Sequence, residues 1–398
     1  MSPKPNVIIF GGLNTCSRAL TSVLVPLEGE ALVSNLRIVD KYSVEPPTTC
    51  ELPSCPSSPP GPIANNVEYK QANLTVPAIV SSSFDPPFGQ EPYSLVFDLT
   101  GDVAHDRSEV VQVNHTCNVA RLIGGEAARR NVKAYVRLQQ PWYESPEKGS
   151  HDEKEDVKPN GVIGTWWHET LRILGAIEGL NLVIVRVGLV YGPYIDFGLM
   201  TNVLTKPMKS LWSPGRNAMN TVHSDDVAGG LWAAAEWIVS QQIYWKNDKS
   251  KVPEVVGMQP PEKKIIVPLF NLTDDNGTTL DKAGKTMTGV FGTTFEYHNF
   301  VTSAMMRLRL EDLVEDINEA HVSGWAEMLT RSDPPVTKTP LSAYMDPFSL
   351  SKHTVAFSNK KIQRIIGYHL RRPNMTADVL YEIVDKWKAE GIWPTIGS

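Results

Sequence analysis

Short apolar runs alternate with longer amphipathic stretches over the first two thirds of the chain. The runs are rich in Val, Ile, Leu and Phe, a composition typical of strands that are covered by helices on both faces. The predicted strands are Val7–Phe10, Leu36–Val39, Val67–Lys70, Ser94–Leu99, Ala134–Leu138 and Leu182–Val187. Apolar residues at helical spacing predict helices at Cys16–Leu27, Asn118–Arg130 and Gly164–Ile177. This order predicts an α/β fold with a Rossmann-like, doubly wound parallel sheet.

Three stretches break the pattern and are interpreted as surface loops. They are Glu45–Asn66, which is dense in Pro, Ser and Cys, the charged stretch Glu147–Asn160, and Gln241–Lys264, which mixes Lys, Glu and Pro. No change of composition marks an independent second domain. We therefore expect residues 1–187 to form the sheet core, with loop insertions near 45–66 and 147–160. Residues 188–398 would form a smaller C-terminal substrate lobe that packs on the core and is interleaved with it.

Composition and charge narrow the classes of partner. Of the 398 residues, 41% are hydrophobic, and the formal net charge is −6. A chain of this kind buries a sizeable core, and without a long basic run we do not expect it to bind nucleic acid. The first residues lack the apolar region and cleavage site of a signal peptide. The most apolar later stretch, Leu180–Tyr191, is too short for a membrane span and contains Arg186, so we expect a cytoplasmic protein without a membrane partner.

The four cysteines do not follow a metal-binding pattern. Cys50 and Cys55 lie in the proline-rich loop, where they would make half of a metal site or a redox pair. No second cluster of Cys and His stands at ligand spacing in the sequence. We interpret the two residues as loop thiols and predict no metal site.

The turn after the first strand has the features of a phosphate-binding turn. In Val7-Ile-Ile-Phe-Gly-Gly-Leu-Asn-Thr-Cys-Ser17, Gly11 and Gly12 permit a tight turn. The two later glycine positions of dinucleotide-binding turns hold Asn14, which accepts left-handed conformations, and Ser17, which is small enough for helix packing. A pyrophosphate at this place would be stabilised by free N–H groups of the helix N-terminus. A generic turn between a strand and a helix explains the same residues equally well.

Polar residues at the ends of the next strands support a dinucleotide. Asp40 ends the second strand, where a carboxylate accepts hydrogen bonds from the adenosine ribose and repels a 2′-phosphate. Lys41 follows directly and leaves the choice between NAD and NADP open, although Asp40 favours NAD. Further candidate cofactor contacts follow the third and fourth strands: Asn73, Leu74, Thr100 and Gly101.

Several segments occur in the order found in a known enzyme family. Val96-Phe-Asp-Leu-Thr-Gly101 resembles the strand segment beneath the cofactor in the extended short-chain dehydrogenases/reductases, the NAD-dependent epimerase/dehydratase family. Val185-Arg-Val-Gly-Leu-Val-Tyr-Gly-Pro193 is similar to the family's Tyr-Gly-Pro turn, with Val187 in place of a proline. Asn220-Thr-Val-His-Ser-Asp-Asp-Val-Ala228 resembles a helix start in its substrate lobe. The resemblance implies a nicotinamide cofactor and a small carbonyl or sugar-type ligand.

The residues that catalyse the family's reactions are replaced in this chain. Family members carry a Ser or Thr after the fifth strand and a Tyr-X-X-X-Lys pair on the next helix. A phenol, with a pKa of about 10, needs an ammonium beside it to act as a base near neutral pH. Here the hydroxyl position holds Gln139 or Gln140, the phenol position Ile163 and the ammonium position Trp167. None of these side chains replaces the chemistry of the group that is missing.

Two other residues are candidates for acid/base chemistry. A shift of one residue would place His168 at the ammonium position, and an imidazole exchanges protons near neutral pH. No shift restores the pair, because no tyrosine lies between Tyr143 and Tyr191. Tyr143 matches the tyrosine near the family's substrate pocket, while packing beside Trp166 and Trp167 is an alternative interpretation of His168. The candidate catalytic residues are therefore Tyr143 and His168.

Three functions remain compatible with this sequence. The first is an epimerase, dehydratase or reductase with relocated acid/base groups, and the second is a non-catalytic sensor or scaffold that binds a nucleotide or another ligand. The third is a protein that keeps the fold without a cofactor, because Asn14 and Ser17 crowd the phosphate turn. We favour cofactor binding without the standard chemistry. The resemblance also implies a homodimer through the helices Asn118–Arg130 and Gly164–Ile177.

Overall fold

The elements of the fold come from a computed structural model. It describes residues 3–12, 15–42, 66–105, 107–145, 149–155, 157–193, 207–212, 215–247, 267–275, 277–345 and 354–395. The strands are β1 Asn6–Phe10, β2 Asn35–Asp40, β3 Val67–Gln71, β4 Leu95–Asp98, β5 Ala134–Gln139, β6 Leu182–Val187, β7 Leu189–Tyr191, β8 Met208–Ser210, β9 Thr221–His223, β10 Leu269–Leu272 and β11 Phe295–Tyr297. The helices are α1 Thr15–Leu24, α2 Pro77–Ser83, α3 Glu109–Gln112, α4 Val119–Arg129, α5 Gly161–Gly175, α6 Ser224–Asn247, α7 Leu280–Val290, α8 Phe300–Arg307, α9 Leu310–Arg331 and α10 Ala377–Ala389. Two π-helical segments are Val113–Asn118, which joins α3 to α4, and Ile362–Ile366.

Seven of the described strands form one parallel sheet in the order β3-β2-β1-β4-β5-β6-β10. Phe10 of β1 is paired with Val39 of β2 on one side and with Asp98 of β4 on the other. The strand order therefore reverses between β1 and β4. In such sheets a ligand binds in the crevice outside the carboxyl ends of the strands, at the point of reversal. The predicted Rossmann-like fold is confirmed.

The predicted strands are present, and their ends differ from the prediction by at most one residue. The prediction omits β10, which has four residues, follows Pro268 and pairs with β6 at the edge of the sheet. So short a run gives no clear periodic signal. Through α6 and β10 the later part of the chain contributes to the sheet layer, while the division at residue 187 stays a prediction.

The helix boundaries depart from the sequence prediction where local chemistry decides them. The first helix ends at Leu24 and not at Leu27, because Pro26 disfavours the helical conformation in the residue before it. The predicted helix Asn118–Arg130 is the last part of a longer helical stretch that begins at Glu109.

The described residues cover only part of the three predicted loops. Helix α6 runs on to Asn247, so the predicted loop at Gln241–Lys264 is wrong for its first residues, which contain neither Gly nor Pro. Residues 248–264 lie outside the described part of the chain, as does Glu45–Asn66 apart from Asn66. The stretch Glu147–Asn160 has no helix or strand among its described residues, yet it carries a buried carboxylate, Glu153.

Both faces of the sheet are covered by helices. On one face Leu20 of α1 and Leu231 of α6 pack with alternate strand residues such as Val136. On the other face Ile123 of α4 and Leu171 of α5 pack with the strand residues that point the opposite way. Full burial of an aliphatic side chain contributes about 1.5–3 kcal/mol, which explains why both faces of these strands are apolar.

The C-terminal lobe has an apolar core of its own. Trp325 of α9 and Trp387 of α10 are buried there, and the Trp393 ring stacks on that of Trp387 with centroids 5.3 Å apart. Asp226, at the start of α6, connects the lobe to the core. Its buried carboxylate accepts hydrogen bonds from the Tyr368 hydroxyl (2.9 Å) and from the backbone N–H groups of Arg371 and Arg372 (2.6 and 2.9 Å).

A late segment returns from the lobe to the core. Val355 pairs with Met219 and Phe357 pairs with His151 in isolated β-bridges. The Phe357 N–H also donates to Asn220 Oδ1 at 2.8 Å. These contacts join parts of the chain that are far apart in sequence. Within the described residues, no helix has the length and apolar composition that a membrane crossing requires.

Candidate functional site

The turn after β1 lies tightly against its neighbouring strands. Gly11 has a φ of 81°, and its N–H donates to the Val39 carbonyl oxygen at 2.9 Å. A Cβ on Gly11 would lie 2.7 Å from the Leu99 carbonyl carbon, and a Cβ on Gly12 would lie 1.9 Å from Ile38 Cγ2. Both glycines are therefore required by the packing of the protein itself. Their presence does not depend on a ligand.

Of the other two residues of the predicted phosphate turn, only Ser17 lies within the described part of the chain. Asn14 lies outside the described residues. Ser17 is fully buried on α1, and its carbonyl oxygen accepts a hydrogen bond from the Thr21 hydroxyl at 2.8 Å. Ser17 therefore takes part in helix packing, as its small size predicts.

The predicted adenosine contacts lie at the ends of β2 and β3. Asp40 is buried, and its Oδ1 accepts a hydrogen bond from the Tyr42 N–H at 3.3 Å. The Lys41 ammonium lies 5.0 Å from the centre of the Tyr42 ring. Asn73 is exposed and holds its own turn, with Oδ1 accepting from the Thr75 N–H at 3.1 Å, while Leu74 belongs to the apolar core. The structure thus brings Asp40, Lys41 and Asn73 to one edge of the sheet, beside the glycine turn.

A buried ionic network fixes the end of β4 to β5. Arg137 Nη1 lies 2.9 Å from Asp98 Oδ1, and both side chains are 0% exposed. The same carboxylate accepts the Tyr135 hydroxyl at 2.5 Å, and its Oδ1 accepts the Thr100 N–H at 3.0 Å. Burial raises the pKa of Tyr135 well above its ordinary value, so the phenol keeps its proton. Thr100, a predicted cofactor contact, is used inside the protein.

The helix α5 presents apolar side chains where the family resemblance implies a phenol and an ammonium. Ile163 is 7% exposed and Trp167 is 1% exposed. A Cβ built on Gly101 would meet the Trp167 ring at 2.3 Å, so the indole lies directly against the backbone after β4. Its Nε1 donates to the Asp102 carbonyl oxygen at 3.0 Å, and the Arg137 guanidinium stands over the ring, 4.7 Å from its centre.

The two predicted catalytic residues lie side by side. The Tyr143 hydroxyl is 3.3 Å from His168 Nδ1, and it accepts a hydrogen bond from the Gln139 amide at 2.8 Å. Burial raises the pKa of Tyr143, although the nearby Arg186 guanidinium acts in the opposite direction. Gln139, one of the two glutamines predicted at the hydroxyl position, therefore binds the Tyr143 hydroxyl directly.

Sequence reasoning missed a second buried cation beside this pair. Arg186 of β6 lies 5.1 Å from the centre of the Tyr143 ring, and its Nε donates to Asn271 Oδ1 of β10 at 2.8 Å. Its Nη2 is buried without a hydrogen-bond partner among the described residues. Glu153 is a buried carboxylate in this network; its Oε1 accepts the Asn271 N–H at 2.8 Å, and burial raises its pKa. Since Glu153 lies in a charged stretch interpreted as a surface loop, only the arginine within the apolar strand signals the site in the sequence.

The residues at the carboxyl edge of the sheet fit the adenosine half of a dinucleotide better than the nicotinamide half. A dinucleotide at the reversal between β1 and β4 would lay its adenosine half over β2 and β3 and its other half over β4 and β5. The adenosine side offers the glycine turn and the Asp40 carboxylate. On the other side, Trp167 lies on Gly101, where an ammonium would be expected. The site therefore fits the adenosine half and lacks the usual donor for the nicotinamide ribose.

The described residues contain no cluster of three or more His, Cys, Asp or Glu side chains able to hold a metal ion. Cys16 and Cys117 are buried free thiols, and burial raises the pKa of Cys16 to about 12. A thiol of that pKa stays protonated near neutral pH. Cys50 and Cys55 lie outside the described residues.

A cavity of about 330 Å³ lies between α1 and α10. Its polar lining includes Thr21 and His223, together with Arg372, whose guanidinium is paired with both Asp225 (3.3 Å) and Glu382 (2.7 Å). His223 and Asp225 lie at the start of α6, where His223 Nδ1 accepts the Asp225 N–H at 3.1 Å and so holds the helix start.

The chain is similar to solved structures of known proteins. No family model and no curated protein sequence matches the chain. The enzyme WbmG of Bordetella bronchiseptica, solved with NAD and UDP, has a TM-score of 0.62 at 11% identity, covering 98% of this chain and 96% of its own. DesIV of Streptomyces venezuelae, a dTDP-glucose 4,6-dehydratase solved with NAD, has a TM-score of 0.60 at 14% identity, covering 98% of each chain. The UDP-glucose 4-epimerase of Thermotoga maritima, solved with UDP-glucose, has a TM-score of 0.57 at 13% identity, covering 95% of this chain and 99% of its own.

These similarities extend over nearly the whole chain and at these identities concern the fold. The solved structures are those of enzymes of the type that the sequence motifs resemble. The chain has the fold of the NAD-dependent epimerases and dehydratases, which confirms at this level its resemblance to the extended short-chain dehydrogenases/reductases.

Proposed function

We propose that this chain binds NAD and a small carbonyl or sugar-type ligand but does not carry out the hydride transfer that depends on a Tyr-Lys pair. The observation that carries this proposal is the identity and burial of two side chains on α5. By the family resemblance Ile163 and Trp167 stand at the places of the phenol and the ammonium; both are buried, and Trp142 meets the Trp167 ring edge to face. Neither side chain exchanges a proton or lowers the pKa of a neighbour.

The adenosine side of the sheet edge supports NAD as the nucleotide. The glycine turn follows β1 and precedes α1, whose N-terminus would stabilise a pyrophosphate, and Asp40 would supply a carboxylate for the ribose hydroxyls. WbmG and DesIV, which share this fold, were crystallised with NAD. Asp40 disfavours the 2′-phosphate of NADP, although Lys41 stands next to it.

Polar residues near the carboxyl ends of β5 and β6 support a ligand with hydroxyl or carbonyl groups. Gln139 Oε1 and Arg186 Nη2 are buried atoms without hydrogen-bond partners among the described residues. Buried polar groups of this kind are normally satisfied by a partner, and a sugar or carbonyl compound offers suitable ones. WbmG was solved with UDP and the T. maritima epimerase with UDP-glucose, both nucleotide ligands.

The test measures binding and redox chemistry separately. The purified protein is heat-denatured, the released nucleotide is identified by mass spectrometry, and NAD and NADP are then titrated calorimetrically into nucleotide-free protein. We expect NAD to bind and no NADH absorbance to appear with UDP-glucose or dTDP-glucose. Formation of NADH during turnover would overturn the proposal, and so would the failure of both dinucleotides to bind.

A second candidate is an enzyme with relocated acid/base groups. It rests on the contact between the Tyr143 hydroxyl and His168 Nδ1 at 3.3 Å, with Arg186 beside the phenol. If this pair catalyses, Y143F and H168Q each lower turnover about 10²-fold or more. T165A, an exposed position on the same helix, serves as the matched control. Undiminished turnover in both variants would remove this candidate.

A homodimer and a cytoplasmic location remain predictions of the sequence. The helices expected at a dimer interface are α4 and α5, whose exposed residues include Val162 at 51% exposure. Light scattering on the purified chain measures the mass directly. A monomer at micromolar concentration would contradict the predicted dimer.

A further inference from the structure

We infer that the chain recognises the adenosine-diphosphate half of its nucleotide and does not distinguish NAD from NADH or ADP-ribose, because Trp167 closes the nicotinamide side of the crevice. This inference rests on the proposed nucleotide binding and specifies which chemical group of the nucleotide is recognised. It concerns binding alone and includes no covalent step.

The first step is the position of Trp167 along the sheet edge. The reversal of strand order lies between β1 and β4, so the two halves of a dinucleotide lie on opposite sides of that point. The turn of Gly11 and the carboxylate of Asp40 lie on the β1–β2 side. Trp167 lies on the β4–β5 side, against Gly101, which follows β4. The indole is thus on the side to which nicotinamide would extend.

The second step is that the indole is held from several directions. Its Nε1 donates to the Asp102 carbonyl oxygen at 3.0 Å. Trp142 meets it edge to face at 5.4 Å, and on Gly101 a Cβ would be only 2.3 Å from the ring. With 1% of its surface exposed, Trp167 is enclosed by these neighbours.

The third step is the charge beneath the ring. The Arg137 guanidinium stands 4.7 Å from the centre of the Trp167 ring and is paired with Asp98. Its Nε and Nη2 have no hydrogen-bond partner among the described residues, so the π-face of the indole is their favourable neighbour. Displacing Trp167 would leave this buried cation with fewer favourable contacts. The indole is therefore a fixed wall of the site, unlike a lid that opens for a ligand.

The fourth step concerns the hydrogen-bond donors that the β4–β5 side of the sheet edge offers. An ammonium offers three N–H donors, whereas an indole offers one. That one donor of Trp167 is already bonded to Asp102, and Ile163 offers none. A nicotinamide ribose would therefore find no free donor at the two positions of α5 where the family resemblance implies a phenol and an ammonium. The affinity is left to the adenosine half, which NAD, NADH and ADP-ribose have in common.

The experiment compares nucleotides that share one half and differ in the other. NAD, NADH, ADP-ribose and nicotinamide mononucleotide are titrated into the full chain by calorimetry. We expect the first three to bind with dissociation constants within about threefold of one another and the mononucleotide not to bind. Saturation-transfer NMR should give strong signals for the adenine protons of NAD and weak ones for its nicotinamide protons.

The outcomes separate this inference from the function on which it rests. NAD binding more than tenfold tighter than ADP-ribose, or equal saturation of nicotinamide and adenine protons, would overturn the inference and leave NAD binding intact. Failure of all four nucleotides to bind would overturn the proposed function itself. W167A provides a further comparison if it folds, with W166F as its control; only W167A should increase the preference for NAD over ADP-ribose.

Discussion

Arg137 of β5 and Asp98 of β4 form an ion pair that has no contact with solvent. Arg137 Nη1 and Asp98 Oδ1 are 2.9 Å apart on adjacent parallel strands, and neither side chain is exposed. Tyr135 and Thr100 donate further hydrogen bonds to the same carboxylate. The pair fixes the ends of two strands directly under Trp167 and so supports the shape of the candidate site.

Removing one partner of this pair should strongly destabilise the fold. We expect D98A to lower the free energy of unfolding by about 3–5 kcal/mol, because it leaves the Arg137 cation buried without its counter-charge. The double variant D98A/R137M should recover much of that loss, since no charge then remains buried. Urea unfolding measures both values.

The exposed pair of Lys158 and Glu144, 2.6 Å apart, is the control for this prediction. E144Q should change the free energy of unfolding by less than about 1 kcal/mol, because exposed ion pairs contribute little. Equal losses in D98A and E144Q would show that burial of the Asp98 pair has no energetic consequence.

Any side chain at position 101 should conflict with Trp167. Gly101 has a φ of 131°, and a Cβ there would lie 2.3 Å from the indole. We expect G101A to cost about 2–5 kcal/mol, the sum of backbone strain and overpacking. G149A isolates the backbone contribution, because Gly149 also has positive φ (83°) but nothing within 4 Å of its Cβ position. A cost for G101A no larger than that for G149A would rule out the close contact.

The Asp226 carboxylate should control how firmly the lobe holds to the core. D226N keeps one acceptor oxygen but faces the N–H groups of Arg371 and Arg372 with another donor. We expect a loss of about 3 kcal/mol and faster hydrogen exchange at these two amides. D378N, an exposed first-turn position of α10, should cost less than about 1 kcal/mol. Unchanged exchange at Arg371 and Arg372 would contradict the assigned contacts.

Glu126 should make the stability of the chain depend on acid pH. Hydrogen bonding to Arg129, followed by that to Arg130 and Ser81, lowers the pKa of Glu126 from 4.5 to about 2. A lowered carboxylate pKa stabilises the fold above the unfolded-state value, and that contribution is lost as the pH falls from about 4.5 to about 2.

The comparison of E126Q with the unchanged chain isolates this effect. Because Arg129 is exposed, we expect E126Q to cost only about 1–2 kcal/mol at neutral pH. The difference from the unchanged chain should shrink toward pH 2. E327Q breaks an exposed ion pair with Arg331 and should cost less than about 0.5 kcal/mol at any pH. A cost for E126Q that does not vary with pH would remove the titration of Glu126 as its cause.

Asp40 should set the preference between the two dinucleotides. D40S removes the carboxylate at the end of β2, so the relative affinity for NADP should rise on the order of tenfold, equivalent to about 1.4 kcal/mol. Calorimetric titration of both nucleotides measures the ratio. E68Q, which removes a charge from the neighbouring strand β3, is the control and should leave the ratio unchanged.

The fold could be predicted because its strands are visible in the sequence as apolar runs. Val7–Phe10 and Leu182–Val187 are continuous apolar runs, and such runs are expected only where helices cover both faces. The short edge strand β10 could not be predicted, since four residues after a proline show no periodicity. The π-helical segment Val113–Asn118 and the extension of α6 to Asn247 likewise leave no composition signal in the sequence.

Only those residues of the candidate site that match positions of the family's sequence motifs could be predicted. The family resemblance placed Tyr143 and His168 as candidates, and the structure brings the Tyr143 hydroxyl and His168 Nδ1 within 3.3 Å of each other. Their catalytic role stays a prediction. The network around Arg186 needed the fold, because its partner Asn271 lies on the unpredicted strand β10 and Glu153 returns from a charged loop.

The return of the late segment to the core has a consequence for synthesis of the chain. The contacts of Val355 and Phe357 with Met219, Asn220 and His151 form only after the chain has been translated past these late residues. All seven strands of the main sheet, through β10, are translated before these late residues. A chain that stops before Val355 would lack part of the surroundings of Tyr143, since Phe357 packs edge to face on that ring. The order of translation thus makes completion of the candidate site a late event in the synthesis of each new chain.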